Sequence, residues 1–436
     1  MEFYDREIEI EQLKAIDKLS EKVAQFTVLM GRRRIGKTTL LKEAFSDKEM
    51  LYFFVSKKSI PMLCAEYQQQ VEETLGITIH GQVSNFFQLL KEIFEYSKNH
   101  QVTIIIDEFQ RLAEIEPSCI SEIQNVWDAY QQYAHIHLIA CGSIYSMMHK
   151  LFEDSKEPLF GRKTARLDLK PFSVGSLKKI LADHNPNYTS EDLLMLYALT
   201  GGVAKYVAHL MDTGNTTKEK MLNSACSATS IFLEEGTELL IGEFGKQYQV
   251  YFSILQLVAS GMTSQSEIDS IIGKNTGRYL KTLGEEYSFL DKKRPMWAKN
   301  TSLGVKYFIN DCFLNFWFRF IESNRSIIEL GKYNLLREYI QQNWEQYSGY
   351  VLEKYFRQLY SEMPRVTQVS HWWDKKGENE IDLIAIEALD KRAIIGEVKR
   401  NIKRYNPNLL NEKYQNIKSH LRGYKVELKC LSMNDM

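Results

Sequence analysis

The sequence predicts an α/β protein. A parallel sheet with a helical lid comes first, then a small module of three helices and a β-hairpin, then a second, smaller α/β domain. Three observations carry this reading. A glycine-rich basic turn separates an apolar strand from a helix at residues 26–44, and a second apolar strand ends in the acids Asp107 and Glu108. Near the C-terminus, two further strands bring Asp382, Glu397 and Lys399 together. The chain has 436 residues, enough for two or three domains at about 150 residues each. Its 55 Lys and Arg balance 56 Asp and Glu, with a hydrophobic fraction of 44%. That composition excludes a disordered chain, a collagen-like fibre and a uniformly basic nucleic-acid binder.

Compartment follows from what is missing. None of the six cysteines forms a CxxC pair, so neither a disulfide framework nor a zinc ribbon is expected. The opening MEFYDREIEIEQL is charged and lacks the apolar run of a signal peptide. The longest apolar candidate, Phe313 to Ile321, is interrupted by Asn315 and Arg319, so no membrane span is expected. The expected location is cytoplasmic.

Phe26-Thr27-Val28-Leu29-Met30 is rich in β-formers and reads as a buried strand. Gly31-Arg32-Arg33-Arg34-Ile35-Gly36-Lys37-Thr38 follows, then the helical Thr39-Leu40-Leu41-Lys42-Glu43-Ala44. This fits G-x-x-x-x-G-K-[ST] between strand and helix. The glycines let the backbone curl so that N–H groups from Gly31 through Thr39, including Arg34, Ile35 and Gly36, face phosphate oxygens. Lys37 reaches the β- and γ-phosphates, and Thr38 holds Mg²⁺.

A phosphate loop of this kind needs an acid to complete the metal site. Val102-Thr103-Ile104-Ile105-Ile106 ends in Asp107, placed as a metal-binding aspartate should be. Glu108 follows at once, where a carboxylate orients and deprotonates the attacking water. Leu51 to Val55 and Ile136 to Ala140 supply two more strands. The latter runs into Cys141-Gly142-Ser143, and Ser143 is either a γ-phosphate sensor or a turn serine. Alternating strands and helices imply a parallel sheet with helices on both faces. Arg162, in Pro158-Leu159-Phe160-Gly161-Arg162-Lys163, is a candidate finger for the charge that builds on the γ-phosphoryl group, with a surface arginine as the alternative.

On these residues the first 210 positions resemble the archaeal-type ATPases of the STAND group, relatives of AAA+ proteins. The matching segments are Phe3-Tyr4-Asp5-Arg6-Glu7, GRRRIGKT, IIIDEFQ, CGSIYSMM, PLFGRKT and Thr200-Gly201-Gly202-Val203. The resemblance implies ATP and Mg²⁺ as cofactors and places Phe3 and Arg6 near the adenine. It also implies a proline after the Gly-Gly turn, where this chain has Val203 and Ala204.

Residues from about 170 to 240 read as a helical lid, with an amphipathic run at Glu191 to Tyr197. Beyond Tyr248, helices at Phe252 to Val258, Ser264 to Ile268 and Asn275 to Leu283 precede a β-wing at Phe289 to Lys293 and Lys306 to Ile309. That order predicts a winged helix. Lys274, Arg278 and Lys281 on its third helix suit either a DNA groove or an inter-domain contact. The aromatic stretch Tyr307 to Phe320 reads as core, because its rings recur at helical spacing with few basic partners.

In the last hundred residues, Glu378 to Ile386 and Ala393 to Lys399 form a predicted hairpin. Glu397 and Lys399 share one face of their strand, with Asp382 on its neighbour. Two acids and a lysine suit Mg²⁺-assisted phosphodiester cleavage, with the carboxylates on the metal and the lysine on the developing charge. Glu353, on an upstream helix, is a further candidate ligand. From Lys391 to Cys430 there are eleven Lys or Arg against three Asp or Glu, which suits a nucleic-acid backbone or a solvated tail.

This D-x₁₄-E-x-K pattern resembles the PD-(D/E)xK nucleases. With the segments FWFRF and EIDLIA…GEVK it also resembles the domain of unknown function that follows many archaeal-type ATPases. The expected domains are thus a P-loop ATPase core at 1–170, a helical lid at 171–243, a winged helix at 244–310 and a small α/β nuclease-like domain at 311–436. The expected function is a nucleotide-dependent ATP-hydrolysing switch whose nuclease-like domain binds or cleaves DNA. A non-catalytic STAND-type scaffold, using its C-terminal domain to hold a partner protein, is the alternative. Oligomerisation is compatible with either.

Overall fold

In the computed structural model, which describes residues 1–244, 248–299, 304–374 and 377–436, the early apolar runs become one parallel sheet. Its strands are β1 (Gln25–Met30), β2 (Leu51–Phe54), β3 (Val102–Asp107), β4 (Ile136–Gly142) and β5 (Ala165–Asp168), in the order β2-β3-β4-β1-β5. β3 and β4 are buried along their whole length, as strands covered by helices on both faces require. β4 pairs with both β1 and β3, so Gly142 lies level with Met30 and Cys141 with Asp107. The phosphate loop and the paired acids therefore emerge on either side of Ser143. β5 is the short edge strand, and only Leu167 in it is buried. A polar cluster lies within the same unit. Asp17 accepts hydrogen bonds from Thr103 (2.7 Å) and Gln101, and pairs with Lys48 and His137. Thr27 Oγ1 meets the other ring nitrogen of His137 at 2.8 Å.

The chain divides into two units, Asp5–Lys170, which holds this sheet, and Pro171–Met436 together with Met1–Tyr4. The second unit opens with five helices, Val174–His184, Ser190–Thr200, Ala204–Asp212, Lys218–Ala225 and Phe232–Phe244. The amphipathic face expected at Glu191 to Tyr197 is corrected here, because every residue from Asp192 to Thr200 is buried. Neighbouring helices cover this helix on all sides, including Lys218–Ala225 and the long helix Tyr333–Ser361. Its N-terminus is closed by a Thr189–Asp192 capping box.

Three helices, Tyr248–Ala259, Gln265–Ile272 and Gly277–Glu285, come next. The expected cap at Ser264 is a reciprocal box with Glu267. An antiparallel pair, β6 (Leu290–Lys293) and β7 (Lys306–Ile309), follows. The aromatic stretch is core: Phe313, Phe316, Trp317, Phe318 and Phe320 are all fully buried. A helix at Cys312–Phe316 widens into a π turn at Trp317–Ile321. The Trp317 indole donates to Leu233 O at 3.0 Å, and its ring occupies the space a side chain at Gly236 would need.

The last sheet comprises β8 (Gln368–Trp373), β9 (Glu380–Glu387), β10 (Arg392–Lys399) and β11 (Lys425–Ser432), in the order β11-β10-β9-β8. β9 and β10 form the expected antiparallel hairpin, β8 adds antiparallel to β9, and β11 runs parallel to β10. The parallel pair needs a crossover, which the helix Pro407–Ile417 supplies. Ile381, Ile384, Ile395, Leu410 and Ile417 make the core of this small sheet. Among the described residues, no helix is long and apolar enough to cross a membrane.

Candidate functional site

The loop after β1 has the shape its glycines allow. Gly36 has φ 97° and Arg34 has φ 70°, both left-handed. A Cβ at Gly31 would lie 2.9 Å from Leu169 O, so the loop passes the neighbouring backbone too closely for a side chain there. Ile35 is buried and anchors the turn. The helix Lys37–Ala44, which includes Thr38 and Thr39, starts at the end of the loop. Lys37 Nζ donates to the carbonyls of Gly31 (2.7 Å) and Arg32 (3.0 Å), which folds the ammonium over the loop. Backbone N–H groups at a helix start and one ammonium are the equipment for binding a phosphate chain.

Thr38 and Asp107 meet across the sheet, the hydroxyl donating to Oδ2 at 3.0 Å. The Tyr52 hydroxyl, on β2, donates to the same oxygen. Burial and the Asp107 charge push the Tyr52 hydroxyl above its ordinary range, so it stays a donor. Glu108 has φ 57°, a left-handed backbone that costs of order 1–3 kcal/mol outside glycine and clusters at functional sites. Its carboxylate accepts the Ser143 hydroxyl at 3.0 Å on each oxygen and the Gln110 amide at 2.6 Å. Arg111 stands 3.8 Å away. Ser143 is buried, and its hydroxyl fixes the Glu108 carboxylate. Gly142 leaves room for this, since a Cβ there would strike Met148 and Gln110.

Three further expected residues make other contacts or belong to the other unit. Arg6 has a left-handed backbone (φ 85°), donates to Lys170 O at 2.7 Å and pairs with Glu9 at 3.2 Å. Phe3 belongs to the second unit and is 40% exposed. Arg162 is engaged by Asp128, its Nη2 2.9 Å from the carboxylate.

The hairpin residues converge. Asp382 Oδ2 accepts the Val398 N–H at 2.8 Å, and Lys399 Nζ lies 4.0 Å from the same oxygen and 2.8 Å from Glu397. Lys413, on the crossover helix, also reaches Glu397 at 2.9 Å. Burial and the nearby charges of Glu353 and Glu397 push Asp382 up to about 7. Burial works the same way on Glu397, but Lys399 and Lys413 outweigh it and hold that carboxylate below its usual range. Glu353 is raised, chiefly by burial, and pairs with Arg357 at 3.3 Å. Arg357 also donates to Asp382 O at 2.9 Å. Among the described residues, no group of three or more carboxylate, imidazole or thiol side chains is arranged to hold a metal ion.

Sequence reasoning missed Tyr52, Gln110, Lys413 and Arg357. Arg357 follows Glu353 at the i,i+4 spacing of a helical ion pair, a signal that was available. Lys413 sits on a separate helix, and Tyr52 on a different strand from its partner, so no local pattern marks either.

Comparison with known proteins gives this arrangement a context. A family described as an ATPase domain predominantly from Archaea matches residues 3–210. A second, described as Archaea bacterial proteins of unknown function, matches residues 317–413. An uncharacterized protein of Methanocaldococcus jannaschii is 30% identical over 413 residues, covering 91% of this chain and 87% of its own length. A second uncharacterized protein of that organism is 35% identical over 74 residues, 17% of this chain and 68% of its own. Among solved structures, the Walker-type ATPase PABY2304 of Pyrococcus abyssi aligns with TM-score 0.55 at 17% identity, over 73% of this chain and 96% of its own. At that identity the likeness speaks for the fold alone.

Proposed function

The chain belongs to the family that joins an ATPase domain predominantly from Archaea to a C-terminal domain of unknown function, and from that premise we propose that it binds Mg·ATP at residues 31–38 and hydrolyses it. The observation that carries the reading is the carboxylate of Glu108, pinned on both oxygens by Ser143 beside the Thr38–Asp107 pair. The residues fit the nucleotide: a loop left-handed at Arg34 and Gly36 with no room for a Cβ at Gly31, an ammonium already folded over it, and a hydroxyl and a carboxylate 3.0 Å apart for the cation. Thr38 and Asp107 would hold Mg²⁺, which neutralises phosphate charge when bound. Lys37 binds the β- and γ-phosphates. Glu108 takes the proton of the attacking water, and Ser143 keeps its carboxylate aimed. Phe3 and Arg6 are the residues proposed beside the adenine. Because Asp128 holds Arg162, a finger role requires a neighbouring subunit to break that pair. Equilibrium binding tests the site: Lys37→Ala should lose affinity for ATP, and an unchanged affinity would contradict it.

The second half of the proposal concerns DNA. The winged-helix reading is supported by three helices followed by an antiparallel pair. The PD-(D/E)xK reading is supported by Asp382, Glu397 and Lys399 on adjacent strands beside a long helix. There Asp382 and Glu397 would hold a divalent cation and Lys399 would steady the phosphodiester charge. One observation favours the non-catalytic alternative, in which the domain holds its partner without cutting: two lysines already neutralise Glu397. Plasmid nicking with Mg²⁺ or Mn²⁺ separates the two. Cleavage that disappears in Asp382→Ala supports the nuclease, and none under any nucleotide state supports the binding module.

A further inference from the structure

Two cavities adjoin in the second unit, whereas the loop at 31–38 belongs to the first. One encloses about 260 Å³, with Val258, Asn315, Gln346 and Tyr347 in its wall. The other encloses about 330 Å³ and takes in Lys293, Lys354, Arg357 and His371. Phe308, Ile309 and Tyr350 line both. These volumes lie near the lower bound of small-molecule sites, about 300 Å³.

One lining residue of each cavity carries a buried polar atom with no hydrogen-bond partner among the described residues. In the first it is the Tyr347 hydroxyl and in the second His371 Nε2. Tyr347 is only 7% exposed. An unsatisfied buried polar group costs about 1–3 kcal/mol, so such atoms are few, and a hydrogen-bonding ligand against this wall would relieve that cost.

The charges of the two cavities differ. Three cations and one carboxylate line the second: Asp291 is 3.3 Å from Lys293, and Arg357 is paired with Glu353 behind the wall, which leaves Lys354 as the cation without an ion pair among the described residues. Lys354 Nζ donates to the carbonyls of Ile309 (3.1 Å) and Asn310. Burial, with the charges of Arg357, Lys293 and Lys306 around it, pushes His371 down to about 3, the response of a neutral ring in a positive field. The first cavity instead offers largely apolar walls with amide and hydroxyl groups and a single cation, Arg319. A bare anion leaves that cavity unused, and an acyl chain leaves its polar groups unmatched. A planar heterocycle with hydrogen-bonding edges matches both features.

We propose that the two cavities together bind a nucleoside phosphate. Its base lies by Tyr350 within reach of Tyr347, and its phosphate lies against Lys293, Lys354 and Arg357. This does not depend on the hydrolysis or nuclease readings. A free nucleotide and the phosphorylated end of a DNA strand carry the same group.

Calorimetric titration of the full chain carrying Lys37→Ala tests it, with AMP, inorganic phosphate and a 5′-phosphorylated single-stranded DNA as probes. AMP should bind more tightly than phosphate, and Lys354→Met should weaken it by about tenfold or more, the loss expected for one charged hydrogen bond. Tyr347→Phe should also weaken AMP while leaving thermal unfolding unchanged or raised, since it removes an unpaired hydroxyl. Lys293→Met, on the exposed rim, gives the same test if Lys354→Met fails to fold. Binding of the DNA end alone supports the site and identifies its source. Failure of every probe to bind overturns the proposal, as does AMP affinity that none of the variants changes.

Discussion

Glu108 combines a left-handed backbone at φ 57° with a carboxylate bound on both oxygens by one hydroxyl. Strain held in place by a fixed hydrogen bond suits a residue whose aim matters more than its comfort. Ser143→Ala should therefore lower kcat for ATP roughly tenfold with little change in ATP affinity, the pattern of a positioning residue. Steady-state kinetics beside equilibrium binding checks this. Asp382 follows another logic. Its carboxyl holds a proton up to about pH 7, whereas the unfolded chain releases it near 3.8. Its contribution to stability is thus full below about pH 4 and lost as pH rises through about 7. Asp382→Asn keeps an acceptor for the Val398 N–H and removes the charge. It should melt a few degrees higher than the wild type at pH 8 and about equally at pH 4. Equal melting temperatures at pH 8 would contradict the buried-carboxyl account. The meeting of Thr38 with Asp107 and of Glu108 with Ser143 was legible because contiguous motifs mark those residues. Tyr52 and Lys413 were not, since only tertiary folding brings them to Asp107 and Glu397.

Strands β1, β3 and β4 were readable as largely apolar runs, because strands covered on both faces have no polar side, and the edge strand β2 was readable from its aromatic run although Phe54 is exposed. The short edge strand β5 buries one residue of four and gives no such signal. The helix Ser190–Thr200 misled for the opposite reason: two acids at its capped start imitate a polar face, while tertiary packing buries the rest. Two predictions belong to elements. Gly236→Ala would push a methyl into the Trp317 ring, and overpacking of this kind costs typically about 1–3 kcal/mol. Denaturant unfolding should show that loss, and an unchanged midpoint would mean the π turn yields. In the first unit, burial opposes the Asp17 charge, but bonds from His137, Lys48 and Thr103 outweigh it and hold the carboxyl well below its usual range. Its stabilisation is present above about pH 4 and lost as pH falls below that. Asp17→Asn should cost about 3 kcal/mol at pH 7, as breaking a buried pair does, and flatten the acid limb of the stability curve.

For the whole molecule, near-neutral charge conceals two basic regions: the arginine-rich loop at 31–38 and the segment from Lys391 to Cys430. Each lies beside carboxylates, Asp107 and Glu108 in the first unit and Asp382 and Glu397 in the second. A nucleotide-dependent switch needs the first site to turn over. Single-turnover hydrolysis of Mg·ATP by the full chain, wild type against Glu108→Gln, measures that directly. The account predicts that the variant binds ATP as the wild type does and hydrolyses it about 10²–10⁴-fold more slowly, the usual contribution of a general base. Equal hydrolysis rates would contradict it.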